Sequence, residues 1–333
     1  MTPPLAAPLF LVSIAVMLIA SAVFARRLDH AGLRLGMPEA LLGLLTALAA
    51  DAPEIASAVA ALVQHQHALA VGVVVGASAF NIAAMLGLSA VVTAHVRASH
   101  ETLELEAFVG LWLLAVMIAA AAGGIGATGA AVLVAVVVVP YVALLAGGAR
   151  LARKLPLSAA RARFVHRSFG ERHRRARPLD SKREAARLVV VLLLALCLIV
   201  AASVGAVRAA TDLAQAWSVP DALVGVLVLG ILAALPNAWT GVRFGLQQRG
   251  SALMSETLNS NSINLVAGLA IPIALGSLDA FSHLAVFDLA WLFAMTTAAV
   301  VLFARRDGAG RSAGALLIVL YAVFVVVQLA ASA

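Results

Sequence analysis

Ala49-Ala50-Asp51-Ala52-Pro53-Glu54 is the stretch on which the reading of this chain turns. It lies deep inside an apolar run from about residue 38 to 63, long enough to cross a hydrocarbon core of about 30 Å. Each carboxylate placed midway through a bilayer costs roughly 2.5–3.5 kcal/mol on insertion scales, so the site must compensate it. Asp51 and Glu54 are three residues apart and share one helical face. Pro53 between them removes a backbone donor and disrupts the helix, which frees the carbonyl around Ala49 to accept a hydrogen bond or to ligate a cation.

The surrounding composition fits that reading. Of 333 residues, 63% are hydrophobic and 12% charged, against roughly 45–50% and 25% in soluble domains, which excludes a single soluble globular domain. Apolar windows predict helices at about 6–24, 38–63, 68–94, 104–122, 125–147, 187–207, 220–246, 251–275, 282–303 and 312–331. The expected fold is an all-α polytopic membrane protein with ten transmembrane helices. With the N-terminus outside, Arg26, Arg27, Arg34, Arg97, the basic run from Arg150 to Arg187, Arg243, Arg249, Arg305, Arg306 and Arg311 all fall inside, and only Arg208 falls outside. An added or missed span would scramble that bias. Both termini are therefore expected outside. The net charge of +7 is accounted for by orientation, and no nucleic-acid partner is expected. The first segment has no basic residue before its apolar run and no small-residue cleavage site, so it reads as a true span.

The chain also repeats. Pro38-Glu39 opens the second span and Pro220-Asp221 the seventh; Pro53-Glu54 is echoed by Pro236-Asn237, and Phe80-Asn81 by Ile263-Asn264. Five spans per half is an odd number, so the second copy enters the membrane upside down, as in many secondary transporters. This divides the chain into a first five-helix repeat at 1–147, with its motif at about 43–90, and a second at 187–333, with its motif at about 225–273. Between them, 148–186 reads as a basic cytoplasmic linker, a topogenic loop or a contact for anionic lipid. Pro236 is expected to break the seventh span near Leu232 as Pro53 breaks the second.

The third and eighth spans follow their proline-containing neighbours through short turns and supply the opposing wall. In the eighth, Glu256, Ser260 and Asn264 are spaced i, i+4, i+8 on one face, with Asn261 adjacent; the third has Val73, Ala77 and Asn81 there. Asn81 and Asn264 suit either ligation or interhelical hydrogen bonding, and Gly72, Gly76 and Gly87 suit close helix approach. Glu256 suits a site or access role, or a plain helix-start acid.

Gly76-Ala77-Ser78-Ala79-Phe80-Asn81 after Ala50-Asp51-Ala52-Pro53-Glu54 resembles the first alpha repeat of the calcium/cation antiporter superfamily, which includes the sodium/calcium exchangers. The family pattern is G-T-S-x-P-E followed by G-N-x-x-G-S-N-x-x-N. Asn259-Ser260-Asn261-Ser262-Ile263-Asn264 after Ala234-Leu235-Pro236-Asn237 resembles the second repeat. The resemblance implies a secondary antiporter in which the Glu of each P-E pair binds the transported cations, helped by the Thr and Ser before it and by Ser and Asn or Asp on the next helix. Glu54, Asn81, Ser260 and Asn264 keep ligand-type residues. Asp51 stands for the family Ser, Ala50 for its Thr and Ala77 for another Ser. The second Glu has become Asn237, behind Ala233 and Ala234, and Glu256 stands where the family has the Asn of G-N.

Calcium takes six to eight oxygens, typically with more than one carboxylate, which Glu54 and Asp51 can supply with Asn81, Asn264 and freed carbonyls. Two carboxylates one turn apart repel, which favours a proton on one of them. The expectation is that Glu54 binds the cation and Asp51 exchanges a proton or Na+ against it. The transported cations Ca2+, Na+ or H+ are substrates, and no cofactor is expected. A monovalent cation/proton antiporter and a transport-dead sensor or scaffold are the alternatives. A membrane hydrolase is disfavoured, since acids on one helix do not bracket a substrate, and no enzyme activity is expected. His65 and His67 read as a solvated turn, Asp288 as an intramembrane acid of unassigned partner, and Cys197 as a small buried hydrophobe. The setting expected is a prokaryotic inner membrane.

Overall fold

The computed structural model describes residues 3–34, 45, 47–98, 100–152, 182–274, 282–305 and 308–331. Pro38-Glu39 and the greater part of the basic linker, 153–181, lie outside the described residues. Among those described, ten helices follow one another: α1 (Pro3–Arg34), α2 (Ala52–Val63), α3 (His67–Thr93), α4 (His100–Ala121), α5 (Ala127–Ala152), α6 (Lys182–Ala216), α7 (Asp221–Leu246), α8 (residues 250–274), α9 (His283–Phe303) and α10 (Arg311–Ala331). Eight are long and apolar enough to cross a membrane. The other two carry the sequence features that set this chain apart. The described part of α2 is 12 residues long, and α8 gives up hydropathy to Glu256, Asn259, Ser260, Asn261 and Asn264.

α3 is the enclosed helix, with 89% of its most apolar stretch buried, against 28% for α1, 22% for α6 and 11% for α5. The apolar outer faces of α1, α5 and α6 are what a helix presents to lipid. Cys197 belongs to such a face: it is exposed on α6 between Leu196 and Leu198. This corrects the buried placement expected from its apolar run, which is apolar all round and so does not say which side faces inward.

α3 and α7 cross at van der Waals distance. A Cβ on Gly76 would stand 2.3 Å from the Val226 carbonyl oxygen, and one on Gly225 would stand 2.5 Å from that of Leu69. Glycine at both positions lets the two backbones touch. A short antiparallel pair, β1 (His95–Val96) with β2 (Ala309–Gly310), ties the end of α3 to the start of α10.

Matching irregularities recur 183 to 184 positions apart. α3 widens into a π-turn at Ile82–Gly87, just after Asn81, and α8 does so at Val266–Ala270, just after Asn264. The α2–α3 turn places His65 at φ 59°, and the α7–α8 turn places Gln248 at φ 56°. The turns close identically, Gln66 N donating to Ala61 O at 2.8 Å and Arg249 N to Phe244 O at 3.0 Å.

Pro53 stands in the first turn of α2, and the chain bends at Asp51 immediately before it. Helical bonds continue on both sides of this bend, Asp51 N donating to Ala47 O at 2.9 Å and Ile55 N to Asp51 O at 3.0 Å, and the Ser21 hydroxyl reaches the Ala49 carbonyl at 3.4 Å. Pro236 does not act as a helix break, a correction to the sequence expectation: helix runs from Gly230 through Leu246 around it. The irregularity in α7 lies upstream, in the π-turn Gly225–Leu229, where the α3 crossing constrains the backbone. One missing N–H costs a helix a single bond when the turns on either side are held by packing.

Candidate cation site

The bend before α2 places two carboxylates in the protein interior. Asp51 is 0% exposed and Glu54 1%. Glu54 belongs to the first turn of α2, where the partial positive charge of the helix N-terminus favours an anion. α7 presents Asn237 to both acids: its Nδ2 donates to Asp51 Oδ1 at 2.8 Å, to Glu54 Oε1 at 3.0 Å and to Ser260 Oγ at 3.3 Å. From α8, Ser260 Oγ donates to Asp51 Oδ1 at 2.7 Å, and Asn264 Nδ2 donates to Glu54 Oε2. From α3, Asn81 Nδ2 donates to Ser260 Oγ at 3.1 Å. Asn261 binds the wall together, its Nδ2 donating to the Ser78 carbonyl at 3.2 Å.

Six of the residues singled out in the sequence, Asp51, Glu54, Asn81, Asn237, Ser260 and Asn264, thus form one hydrogen-bonded cluster from four helices. Ligation and interhelical bonding, left as alternatives for Asn81 and Asn264, are compatible in this geometry. Glu256 stands apart: it is half-buried one turn before Ser260 on α8 and makes no hydrogen bond among the described residues. The Asp51 charge acts on it.

No basic side chain among the described residues pairs with either central acid. Asp51 Oδ2, Asn81 Oδ1, Asn237 Oδ1 and Asn264 Oδ1 are buried and accept no hydrogen bond. Buried oxygens without donors, set beside carboxylates without counter-charge, make an environment suited to a hard cation. Amide rotation can turn these oxygens toward the carboxylates' partner.

Ser260→Ala removes a donor to a buried carboxylate and the bridge from Asn81. The expected result is a loss of about 1–3 kcal/mol of stability, read as a lower midpoint of thermal unfolding in detergent. A midpoint equal to the parent's would show that Ser260 carries no such bond.

Two further polar pairings escaped the sequence reading. Glu106 on α4 is buried and accepts from Ser255 and Asn259 of α8. It sits at the edge of its apolar window, where an acid reads as interfacial; the i, i+4 spacing of Ser255 and Asn259 was the available signal. Asp288 on α9 accepts from Gln328 of α10, which gives the unassigned acid a partner. His65 and His67 occupy the α2–α3 turn with stacked rings, centroids 6.5 Å apart.

Among the described residues, apolar helices enclose carboxylates and amides without basic counter-charges, an arrangement suited to a cation inside a membrane protein. The family description "Sodium/calcium exchanger protein" matches residues 5–147 and 187–330, and the chain belongs to that family. Among solved structures, the fold is similar to the H+/Ca2+ exchanger CAX (15% identity, TM-score 0.72, covering 97% of this chain and 86% of that one). It is also similar to YfkE (13% identity, TM-score 0.64, covering 96% and 91%) and to the sodium-calcium exchanger NCX_Mj (17% identity, TM-score 0.61, covering 97% and 98%). No curated protein sequence matches the chain.

Proposed function

We propose that this protein is a secondary active antiporter that moves Ca2+ or a related cation against Na+ or H+ by alternating access. The observation that carries the proposal is the buried pair Asp51 and Glu54, bridged by Asn237 Nδ2, with Asp51 Oδ2 and the amide oxygens of Asn81, Asn237 and Asn264 left without donors. In this reading Glu54 and Asp51 ligate the cation with Asn81, Asn237, Ser260 and Asn264, and Glu256 lines the access path. Membership of the sodium/calcium exchanger family supports cation antiport in general.

The ten helices act as spans in two inverted five-helix repeats, 1–147 and 187–333, and the site lies at the bilayer midplane. The matched π-turns and matched turn geometry 183 to 184 positions apart support the repeat. An odd number of spans per repeat supports the inversion. The distribution of Arg supports both termini outside and 148–186 on the cytoplasmic side, available to anionic lipid. The proposed setting is a prokaryotic inner membrane.

A second reading, monovalent cation/proton exchange, draws on Asn237. It replaces a carboxylate of the family pattern and leaves at most two negative charges, both held to one amide nitrogen. Two such acids favour a shared proton. The test is uptake of radioactive calcium by the purified protein in liposomes, under an imposed sodium gradient and, separately, an imposed proton gradient. Calcium accumulation supports the first reading and the effective gradient names the counter-ion. Sodium uptake driven by protons without calcium movement supports the second, and no flux of either ion leaves a transport-dead relative.

A further inference from the structure

α8 carries polar side chains on two faces. Ser260 and Asn264 serve the central acids, while Ser255 and Asn259 turn to a different helix. We propose that Glu106 of α4, with Ser255 and Asn259 of α8 and Tyr141 of α5, forms a second binding site for one monovalent cation, a proton or Na+, separate from the Asp51–Glu54 pair.

The hydrogen bonds of this cluster can be followed donor by donor. Glu106 is 8% exposed. Its Oε1 accepts from Ser255 Oγ at 2.5 Å and from Asn259 Nδ2 at 3.3 Å. Asn259 Nδ2 also donates to Ser255 Oγ at 3.2 Å, and Asn259 Oδ1 accepts from the Tyr141 hydroxyl at 2.6 Å. The serine hydroxyl, both amide hydrogens and the phenol hydrogen are therefore all used. Nothing remains for Glu106 Oε2, which is buried without a donor. An ionised carboxylate with a bare buried oxygen is strongly disfavoured unless a cation joins it, and among the described residues no basic side chain pairs with Glu106.

The charge selects the ligand. The cluster offers one carboxylate and neutral oxygens from Ser255, Asn259 and Tyr141, so a single positive charge neutralises it. A calcium ion would want more carboxylate and more oxygens. The titratable groups beside the cluster are Glu256, next along α8, whose negative charge acts on Glu106, and the Tyr141 phenol of α5, a neutral donor to Asn259 Oδ1. The Glu256 charge raises the affinity of the site for a cation. One helix, α8, carries ligands to both sites, and occupancy at Glu106 acts on the helix that holds Ser260.

The assignment is tested without flux. In purified full-length protein, Asp51→Asn with Glu54→Gln silences the central acids and leaves Glu106 intact. One monovalent event is expected to persist in this variant: binding of a single Na+ by isothermal titration calorimetry, or a protonated-carboxyl C=O band in the infrared that is indifferent to Na+. The first identifies Na+ and the second a proton. Adding Glu106→Gln, which keeps the Oε1 acceptor and removes the charge, is expected to abolish that event. Should Glu106→Gln fail to fold, Ser255→Ala keeps the carboxyl and removes its 2.5 Å donor; a weakened Na+ heat or a shifted band is then expected. The proposal is overturned if no event persists in the double variant, if the event survives Glu106→Gln, or if Ser255→Ala leaves it unmoved. Because flux is not the readout, a failure here is distinct from a failure of the antiport reading.

Discussion

Glu54→Gln is expected to lower gradient-driven calcium uptake in liposomes at least about 100-fold, equivalent to about 2.7 kcal/mol of lost cation binding. The substitution is nearly isosteric. The amide can still accept from Asn237 at the Oε1 position, where the carboxylate now accepts at 3.0 Å, so the fold is expected to hold. In the proposed reading, what disappears is a full negative charge that ligates the cation, in a site of low dielectric where charge interactions are least screened. The amide N–H2 also replaces the Oε2 acceptor that Asn264 now serves. Uptake within a factor of two or so of the parent, with normal incorporation into liposomes, would remove Glu54 from the transport site.

Gly76→Ala is expected to abolish correct folding, although it adds one methyl group to a helix. The new Cβ would lie 2.3 Å from the carbonyl oxygen of Val226 and 2.6 Å from its Cα. Both are backbone atoms of α7 and cannot swing aside as a side-chain tip would. The partner positions are equally closed: a Cβ on Gly230 would meet the Ala77 amide nitrogen at 2.8 Å. Relief requires α3 and α7 to separate, which would draw Asn237 away from Asp51 and Glu54. Overpacking of this kind costs about 3 kcal/mol or more. The check is the yield of monodisperse protein on size exclusion and its unfolding midpoint, with Gly129→Ala as the control, since a Cβ there makes an ordinary 3.8 Å contact. A Gly76→Ala protein as stable as the parent would show that the crossing is looser than described.

Most of the helices were legible in the sequence, although α1 runs on to Arg34 and α6 to Ala216, well past the windows 6–24 and 187–207. Apolar windows placed the third span at 68–94 and α3 runs His67–Thr93; they placed the ninth at 282–303 and α9 runs His283–Phe303. Hydropathy and length are properties of a single segment, and a membrane leaves a segment little choice but to be helical. The pairing of Asp51 with Glu54 was legible for the same reason, since both lie within one turn. So were Asn81, Ser260 and Asn264, because the 183-residue echo and the i, i+4 ladder are patterns along the chain.

Other features depended on neighbours far away in sequence. Asn237 was expected as the weakened counterpart of Glu54, yet its amide holds both acids at once, across 186 and 183 positions. Glu106 drew no reading from the sequence, and its partners Ser255 and Asn259 come from α8, 149 and 153 positions away. Pro236 was expected to break its helix, and packing kept the helix whole. Cys197 sits in a segment apolar on every side, so only its neighbours could decide which side faces out.

By itself the sequence determined the membrane class, the approximate position of most helices, the 183-residue echo between its halves and the two acids that lie buried together. Hydrophobic length, proline chemistry and spacing act locally, and they can be read one segment at a time. The tertiary structure alone decided which donors reach which carboxylate oxygens, which glycines let α3 and α7 touch, and which buried carboxylate oxygens stand without a donor. Those depend on where separate helices meet, and a hydrogen bond that works at 3 Å is lost with a shift of about 1 Å.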